Sequence, residues 1–433
     1  MFRSIFLVVA LALAPSVVLA QEAQKPRRPN IILILSDDYG YECVGANGGA
    51  SYQTPNLDKL AAGGMRFEHC YVQPLCTPTR VQLMTGIYNV RNYVRFGLLD
   101  KQQTTFAQLF KKAGYATGIA GKWQLGQGFD LPGHFGFDDY CLWQLNRRPS
   151  RYGNPGLEIT GKAVDFTKGE YGPDIVSDHA LDFIARKKDG PFLLYYPLML
   201  THDPFEPTPD SPDYKPAQSL KAGYANPRYF ADMVAYQDKL IGKLVAKLDQ
   251  LGLRENTLLI FTGDNGTGTP ITSKLGDQTV KGGKGQTTDA GMRVPLIANW
   301  PGHVPDGKVC RDLVDSTDFL PTICAAAGIA VPAELKIDGQ SFWPQLLGEK
   351  GAPREWIYCW YARDGGAAAS KEFARTLRYK LYRDGSLYDV PADRLEARPL
   401  DVTKLDREGQ AAREMLRGVL DRFQEARPLA LRK

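Results

Sequence analysis

Ile31-Ile32-Leu33-Ile34-Leu35-Ser36-Asp37-Asp38 is an unbroken apolar run that stops abruptly on a hydroxyl and two carboxylates. A continuous β-branched and leucine run of this kind suits a parallel strand buried on both faces by helices. Phe192 to Tyr196 and Thr257 to Thr262 repeat the pattern, and Tyr115 to Ala120 reads as another strand. Between them lie amphipathic helical stretches at 104–113, 173–188 and 227–251, ended by Gly114, Gly190 and Gly252. Strands alternating with helices predict an α/β fold, with a large, mostly parallel sheet flanked by helices.

The strand ends then carry the chemistry, because open α/β sheets build their sites at the carboxyl ends of their strands. Asp37 and Asp38 follow the first run, Lys122 closes the second, His202 lies just past the third and Asp264-Asn265 follow the fourth. An isolated Asp-Asp is more often a polar strand-to-loop turn, so the carboxylates gain meaning only together. Asp37, Asp38, Asp264 and Asn265 offer oxygen ligands, with no cysteine or histidine pairing of the kind zinc prefers. They predict a hard divalent cation, Ca2+ before Mg2+, since a multi-ligand protein cage suits calcium. Asn265-Gly266-Thr267 also fits an N-glycosylation sequon, a reading rejected because an asparagine packed in a cleft cannot carry a glycan.

The chain has 433 residues, 43% hydrophobic and 11% aromatic, enough for one large domain and a smaller one. Its formal net charge of +5 falls by one if Arg3 leaves with the leader, and there is no long basic block to suggest nucleic acid. Residues 1–20 have the pattern of a secretory signal peptide, too short and proline-interrupted to span a membrane. The mature chain is therefore expected to be periplasmic or secreted, to start near Gln21 and to keep no membrane span. Residues 21–29 read as a flexible lead-in, 30–328 as the catalytic α/β unit and 329–433 as a C-terminal subdomain of antiparallel strands closed by a helix. That subdomain is expected to hold strands near Trp356–Tyr361, Thr376–Tyr382 and Ser386–Val390, with Asp384-Gly385 as a hairpin turn. Residues 127–172 show weak periodicity and read as a long excursion over the site. The seven cysteines show no CxxC pair or dense framework, and their pairing is not deducible from spacing.

Cys76-Thr77-Pro78-Thr79-Arg80 has the form C-x-P-x-R ahead of a helix-compatible run, which sets the cysteine by a helix N-terminus that favours anions. A lone C-x-P is more often a buried cysteine beside a proline turn. The longer match is specific, and it resembles the signature of the type I, formylglycine-dependent sulfatases of the alkaline phosphatase superfamily. The resemblance extends to Ser36-Asp37-Asp38, Thr54-Pro55-Asn56-Leu57-Asp58, Gly121-Lys122-Trp123 and Gly263-Asp264-Asn265-Gly266. It reappears in the C-terminal part at Arg378-Tyr379-Lys380-Leu381 and Leu387-Tyr388-Asp389.

The resemblance implies an alkaline phosphatase-like fold and hydrolysis of a sulfate ester, with a sulfated carbohydrate as the expected substrate. It further implies conversion of Cys76 to formylglycine by a formylglycine-generating or sulfatase-maturing enzyme. Asp37, Asp38, Asp264 and Asn265 would hold the cation beside the modified Cys76. Lys122 and Lys284 would hold sulfate oxygens, Arg80 would position the modified side chain and His202 would protonate the leaving alcohol. A hydrated aldehyde suits this ester because one hydroxyl attacks sulfur and the other, once deprotonated, expels sulfate. The sequence departs from the family at Gln124, where family members commonly have histidine: an amide can hydrogen-bond but cannot act as a base at neutral pH. Asp289-Ala290-Gly291 likewise stands where Glu-Gly-Gly is more usual. Two alternatives stand beside this reading: a phosphonate or phosphate ester hydrolase of the same superfamily, and a pseudoenzyme that binds sulfated glycans with Cys76 left as a thiol.

Overall fold

The computed structural model describes residues 1–2, 28–216 and 226–432. The signal peptide expected over 1–20, apart from residues 1–2, and the lead-in as far as residue 27 lie outside the described residues. In chain order the strands are β1 (Asn30–Ser36), β2 (Met65–Tyr71), β3 (Ala116–Lys122), β4 (Asp139–Trp143), β5 (Gly156–Ile159), β6 (Lys162–Asp165), β7 (Phe192–Pro197) and β8 (Thr257–Gly263). A hairpin of β9 (Thr272–Leu275) and β10 (Gln278–Lys281) follows, then β11 (Arg293–Asn299) and β12 (Lys308–Asp315).

Ten of these form one sheet in the order β12-β2-β11-β8-β1-β7-β3-β4-β5-β6. Its centre, β8-β1-β7-β3-β4, is parallel throughout. The expected α/β class holds, with antiparallel pairs on both flanks: β11 against β8 and β2, and β5 against β4 and β6.

Every residue of β1 is buried, and alternate side chains feed two separate cores. Ile31, Leu33 and Leu35 join Phe106, Phe110, Phe319 and Leu320 on one face. Ile32 and Ile34 join Val176, Phe183, Met233 and Leu240 from the Gly172–Arg186 and Phe230–Gln250 helices on the other. A strand sandwiched in this way has no polar face, and its hydrophobic run is the direct trace of that position.

A second sheet, β13 (Ile357–Tyr361), β14 (Lys371–Arg375), β15 (Tyr379–Tyr382) and β16 (Leu387–Asp389), is antiparallel and is covered by the Arg407–Phe423 helix. The Asp384-Gly385 turn lies between β15 and β16 as expected, with Gly385 at φ +92°. One detail differs: the strand expected over Thr376–Tyr382 begins only at Tyr379, and β14 precedes it. The 127–172 excursion also contains β4, β5 and β6, which extend the main sheet. All seven cysteines are free. Among the described residues no helix is long and apolar enough to cross a membrane.

Candidate active site

Strands β8, β1, β7 and β3 lie side by side, and each delivers polar residues from the same end. Ser36 pairs with Gly263 at the last register position of β1 and β8, so Asp37-Asp38 and Asp264-Asn265 leave the sheet at one level. The backbone ladder continues past the strands: Asp264 N–H donates to Ser36 C=O (2.9 Å), Asp37 N–H to Leu200 C=O (3.0 Å) and Thr201 N–H to Asp37 C=O (2.8 Å). Those bonds carry the turn bearing His202 to the carboxylates. Lys122 ends β3 after Gly121, where an added Cβ would lie 1.8 Å from the Pro197 carbonyl oxygen, so only glycine permits that approach to β7.

The four expected oxygen donors converge. Asp38 N–H donates to Asp264 Oδ1 (3.1 Å), and Asn265 Nδ2 donates to Asp38 Oδ1 and to the Gly266 carbonyl (both 2.9 Å). With both amide hydrogens so used, Asn265 Oδ1 is turned the other way, buried and without a protein partner. Asp37, Asp38 and His202 bring ligand atoms within 4.8 Å of one another. Three carboxylates and an orphaned amide oxygen fit a hard divalent cation, and a single histidine does not make a zinc set.

Cationic side chains face these carboxylates. Lys122 Nζ lies 2.8 and 3.0 Å from the Asp37 oxygens, and Lys284 Nζ 2.7 Å from Asp38 Oδ2. Arg80 donates to Asp264 Oδ2 (2.9 and 3.3 Å) and to the Lys122 carbonyl (2.9 Å), with its side chain wholly buried. Burial works to raise the Asp37 carboxyl, but Lys122, His202, Arg80 and Arg151 outweigh it and hold the group well below the usual carboxylate range. Burial and the neighbouring Asp37 push Asp264 up, against Arg80. Burial opposes the Lys284 charge, but Asp38 more than restores it and the ammonium is held above its ordinary range.

Cys76 is the first residue of the Cys76–Thr85 helix, every residue of which is buried. Burial pushes its thiol up despite Lys122, so a thiolate is disfavoured here. Gly285 N–H donates to Pro74 C=O (2.8 Å) and Lys284 N–H to Thr267 C=O (3.1 Å), which fixes the Lys284 loop between the Cys76 and Asn265 segments. Lys281, three residues before Lys284, is exposed. His202 places Nε2 3.8 Å from Asp38 Oδ2, while Nδ1 contacts the Asp203 carboxylate (2.9 Å) and its own neighbour's carbonyl (2.6 Å).

Gln124 lies beyond Lys122 at φ +55°, a backbone conformation uncommon outside glycine, with Oε1 buried and unpartnered. Asp289, the other departure, is half-buried and paired with the buried Arg375, which stacks over the Tyr71 ring at 4.0 Å. Its shorter carboxylate is thus used in joining the two sheets.

Arg151 is the residue sequence reasoning missed. It lies 3.4 Å from Asp37 Oδ2 and 3.8 Å over the Trp143 ring, buried at 4% exposure. It sits in the 127–172 excursion, where only the return of the chain over β4 brings it to the site.

A family model described as Sulfatase matches residues 29–329, and one described as N-sulphoglucosamine sulphohydrolase, C-terminal, matches residues 284–416. The chain is 33% identical to arylsulfatase A of Homo sapiens, over 90% of this chain and 80% of the relative. It is 33% identical to N-acetylgalactosamine-6-sulfatase of Canis lupus familiaris, over 78% of this chain and 69% of the relative. The crystal structure of Ps i-CgsB in complex with k-i-k-neocarrahexaose superposes with a TM-score of 0.78 at 29% identity, covering 93% of this chain and 94% of that one. With the site geometry, these likenesses assign the chain to the sulfatase family of the alkaline phosphatase superfamily, and so to the sulfuric ester hydrolases.

Proposed function

We propose that the chain is an exported sulfatase that hydrolyses a sulfate ester of a sulfated carbohydrate, using formylglycine made from Cys76 by a maturing enzyme and a bound Ca2+. The observation that carries this reading is the meeting of Asp37, Asp38, Asp264 and Asn265 with Lys122, Lys284 and His202 around one helix N-terminus. Two relatives support the carbohydrate: one is named for N-acetylgalactosamine 6-sulfate and another was crystallised with a neocarrahexaose. Export is supported by the leader pattern in residues 1–20. The division at about residue 328 is supported by the match over 29–329, and the second match, over 284–416, crosses that boundary.

Asp37, Asp38, Asp264 and Asn265 would hold the cation, Mg2+ being the alternative, which supplies charge neutralisation and orientation when bound. Formylglycine supplies a nucleophilic hydroxyl, which the disfavoured Cys76 thiolate does not. Lys122 and Lys284 bind sulfate oxygens; Lys284, the more exposed of the two, meets the ester first. Arg80 ties Asp264 to the Lys122 carbonyl and so fixes the distance between the cation side and the lysine side of the site. His202 gives a proton to the leaving alcohol from Nε2, with Asp203 at Nδ1 holding the ring in place. Gln124 Oε1 accepts a hydrogen bond without taking the proton, which makes sulfate release the slow step.

The test is hydrolysis of 4-nitrophenyl sulfate against 4-nitrophenyl phosphate, followed by a panel of monosaccharide sulfates that includes N-acetylgalactosamine 6-sulfate. Sulfate release from the aryl ester and from at least one sugar is expected. Rapid phosphate release beside negligible sulfate release overturns the proposal in favour of the phosphoester reading.

A further inference from the structure

Next to Gln124 lies a polar cavity of about 410 Å³, half open to solvent and lined by Gly97, Gln124, Gln144, Asn146, Arg147 and Arg148 among others. It adjoins the reacting position: Gly97 N–H donates to Thr77 Oγ1 (3.1 Å), on the residue after Cys76, and Leu99 N–H donates to Leu125 C=O (3.2 Å). Three amide atoms of its lining are buried with no protein partner: Gln124 Oε1, Gln144 Oε1 and Asn146 Nδ2. The Asn146 orientation is fixed, because its Oδ1 accepts from Gly128 N–H at 2.8 Å and leaves Nδ2 as the free side.

Burying an amide atom without a partner is unfavourable, so three around one cavity mark a place that favours a polar ligand. Apart from Gln124, whose amide serves the reaction above, the Gln144 acceptor and the Asn146 donor suit sugar hydroxyls, each of which both donates and accepts. A purely apolar occupant would leave both unpaired.

The charges differ in availability. Arg147 is committed to Glu158 (3.2 Å) and Asp165 (2.6 Å). Arg148 is exposed, lies 6.0 Å from the Trp143 ring centroid and has no ion-pair partner among the described residues. Three residues on, Arg151 reaches Asp37, so one short segment runs from the cavity rim to the catalytic carboxylates.

We propose that this cavity is the subsite for the sugar bearing, or adjoining, the reacting sulfate, and that Arg148 there recognises a second anionic group on the substrate. The inference rests on the sulfatase reading above. The second anion is either a uronate carboxylate or a further sulfate, and the substrate class is a polyanionic saccharide.

The experiment measures kcat/KM of wild type, Arg148→Ala and Gln144→Asn on five substrates. These are 4-nitrophenyl sulfate, the sugar sulfate turned over fastest in the panel above, that sugar with a second sulfate, its glycoside with glucuronate, and the methyl ester of that glycoside. Asparagine tolerates the φ of +63° at position 144 and withdraws the amide by one methylene. Wild type is expected to favour one dianionic sugar over the singly charged one. Arg148→Ala should lose roughly tenfold or more on that substrate, mainly in KM, and keep aryl sulfate turnover. Gln144→Asn should raise KM for every sugar and spare the aryl ester. Loss on the disulfate identifies a second sulfate, and loss on the glucuronide but not its methyl ester identifies a carboxylate. Equal kcat/KM for singly and doubly charged sugars, or an Arg148→Ala loss shared by the aryl ester, overturns the subsite. Absence of all turnover defeats the sulfatase reading instead. In that case calorimetric binding of the disulfated and singly sulfated sugars decides the subsite, which stands only if Arg148→Ala removes the preference for the disulfate.

Discussion

Replacing Arg80 by methionine tests the site's framework. The guanidinium is wholly buried, bonds Asp264 Oδ2 twice and holds the Lys122 carbonyl at 2.9 Å. Methionine fills similar space but leaves the buried Asp264 carboxylate facing Asp37 and Asp38 with one cation fewer. Breaking a buried pair from one side costs about 3–5 kcal/mol, mostly as the penalty of the uncompensated charge. At roughly 2.1 cal/mol/K per residue, an unfolding entropy of about 0.9 kcal/mol/K follows for 433 residues, so the loss should lower Tm by about 3–6 °C. Scanning calorimetry with chelator present, at one fixed scan rate, reads this without the cation's contribution. The double variant Arg80→Met/Asp264→Leu should recover part of the loss: it removes the stranded carboxylate but leaves the Asp38 N–H and the Lys122 carbonyl without their partners. Arg80→Lys should recover part of the stability and little activity, because an ammonium cannot bond Asp264 twice and still hold the carbonyl. A shift below about 1 °C for Arg80→Met, or no recovery in the double variant, refutes the reasoning.

The remaining expectations are briefer. Burial and the neighbouring Arg293 and Arg375 push His69 down to about 4. Because the unfolded state then binds more protons between about pH 4 and 6.5, stability should fall as pH drops through that window, by roughly 1–2 kcal/mol after solvent screening of the part-exposed ring; His69→Asn should flatten the slope of the urea midpoint against pH. EGTA should abolish 4-nitrophenyl sulfate turnover and lower Tm, with Ca2+ restoring both, and Asn265→Ala should raise the Ca2+ concentration needed by about tenfold or more. Gln124→His should raise steady-state turnover several-fold while leaving the initial burst unchanged; equal steady-state rates would place the slow step elsewhere.

What could be read from the chain depended on whether a residue's role was fixed locally. The β1 run was legible because a strand covered on both faces must be apolar throughout, and Asp37-Asp38, Lys122, His202 and Asp264-Asn265 were legible because each closes or follows such a strand. The β2 strand has no such run: Met65-Arg66-Phe67-Glu68 alternates apolar and polar residues, the short period-2 mark of a part-exposed strand, and it was passed over. The boundary between β14 and β15 was hidden because Thr376 to Arg378 continue a plausible strand composition while the backbone turns, with Thr376 N–H donating to Tyr379 C=O (2.8 Å). Arg151 was out of reach for a further reason. Its partners Trp143 and Asp37 are brought to it by the addition of β4 to the sheet, and its own neighbours carry no period.

The central claim is that Cys76 is a catalytic precursor and not a thiol. Mass spectrometry of the peptide spanning Cys76-Thr77-Pro78-Thr79-Arg80, from protein made in its native host, tests it most directly. The account predicts a peptide in which the thiol-bearing side chain has become an aldehyde, lighter by the exchange of hydrogen sulfide for one oxygen and reactive toward hydrazide. Only unmodified cysteine at that position would contradict it and leave a protein that binds sulfated glycans without cleaving them.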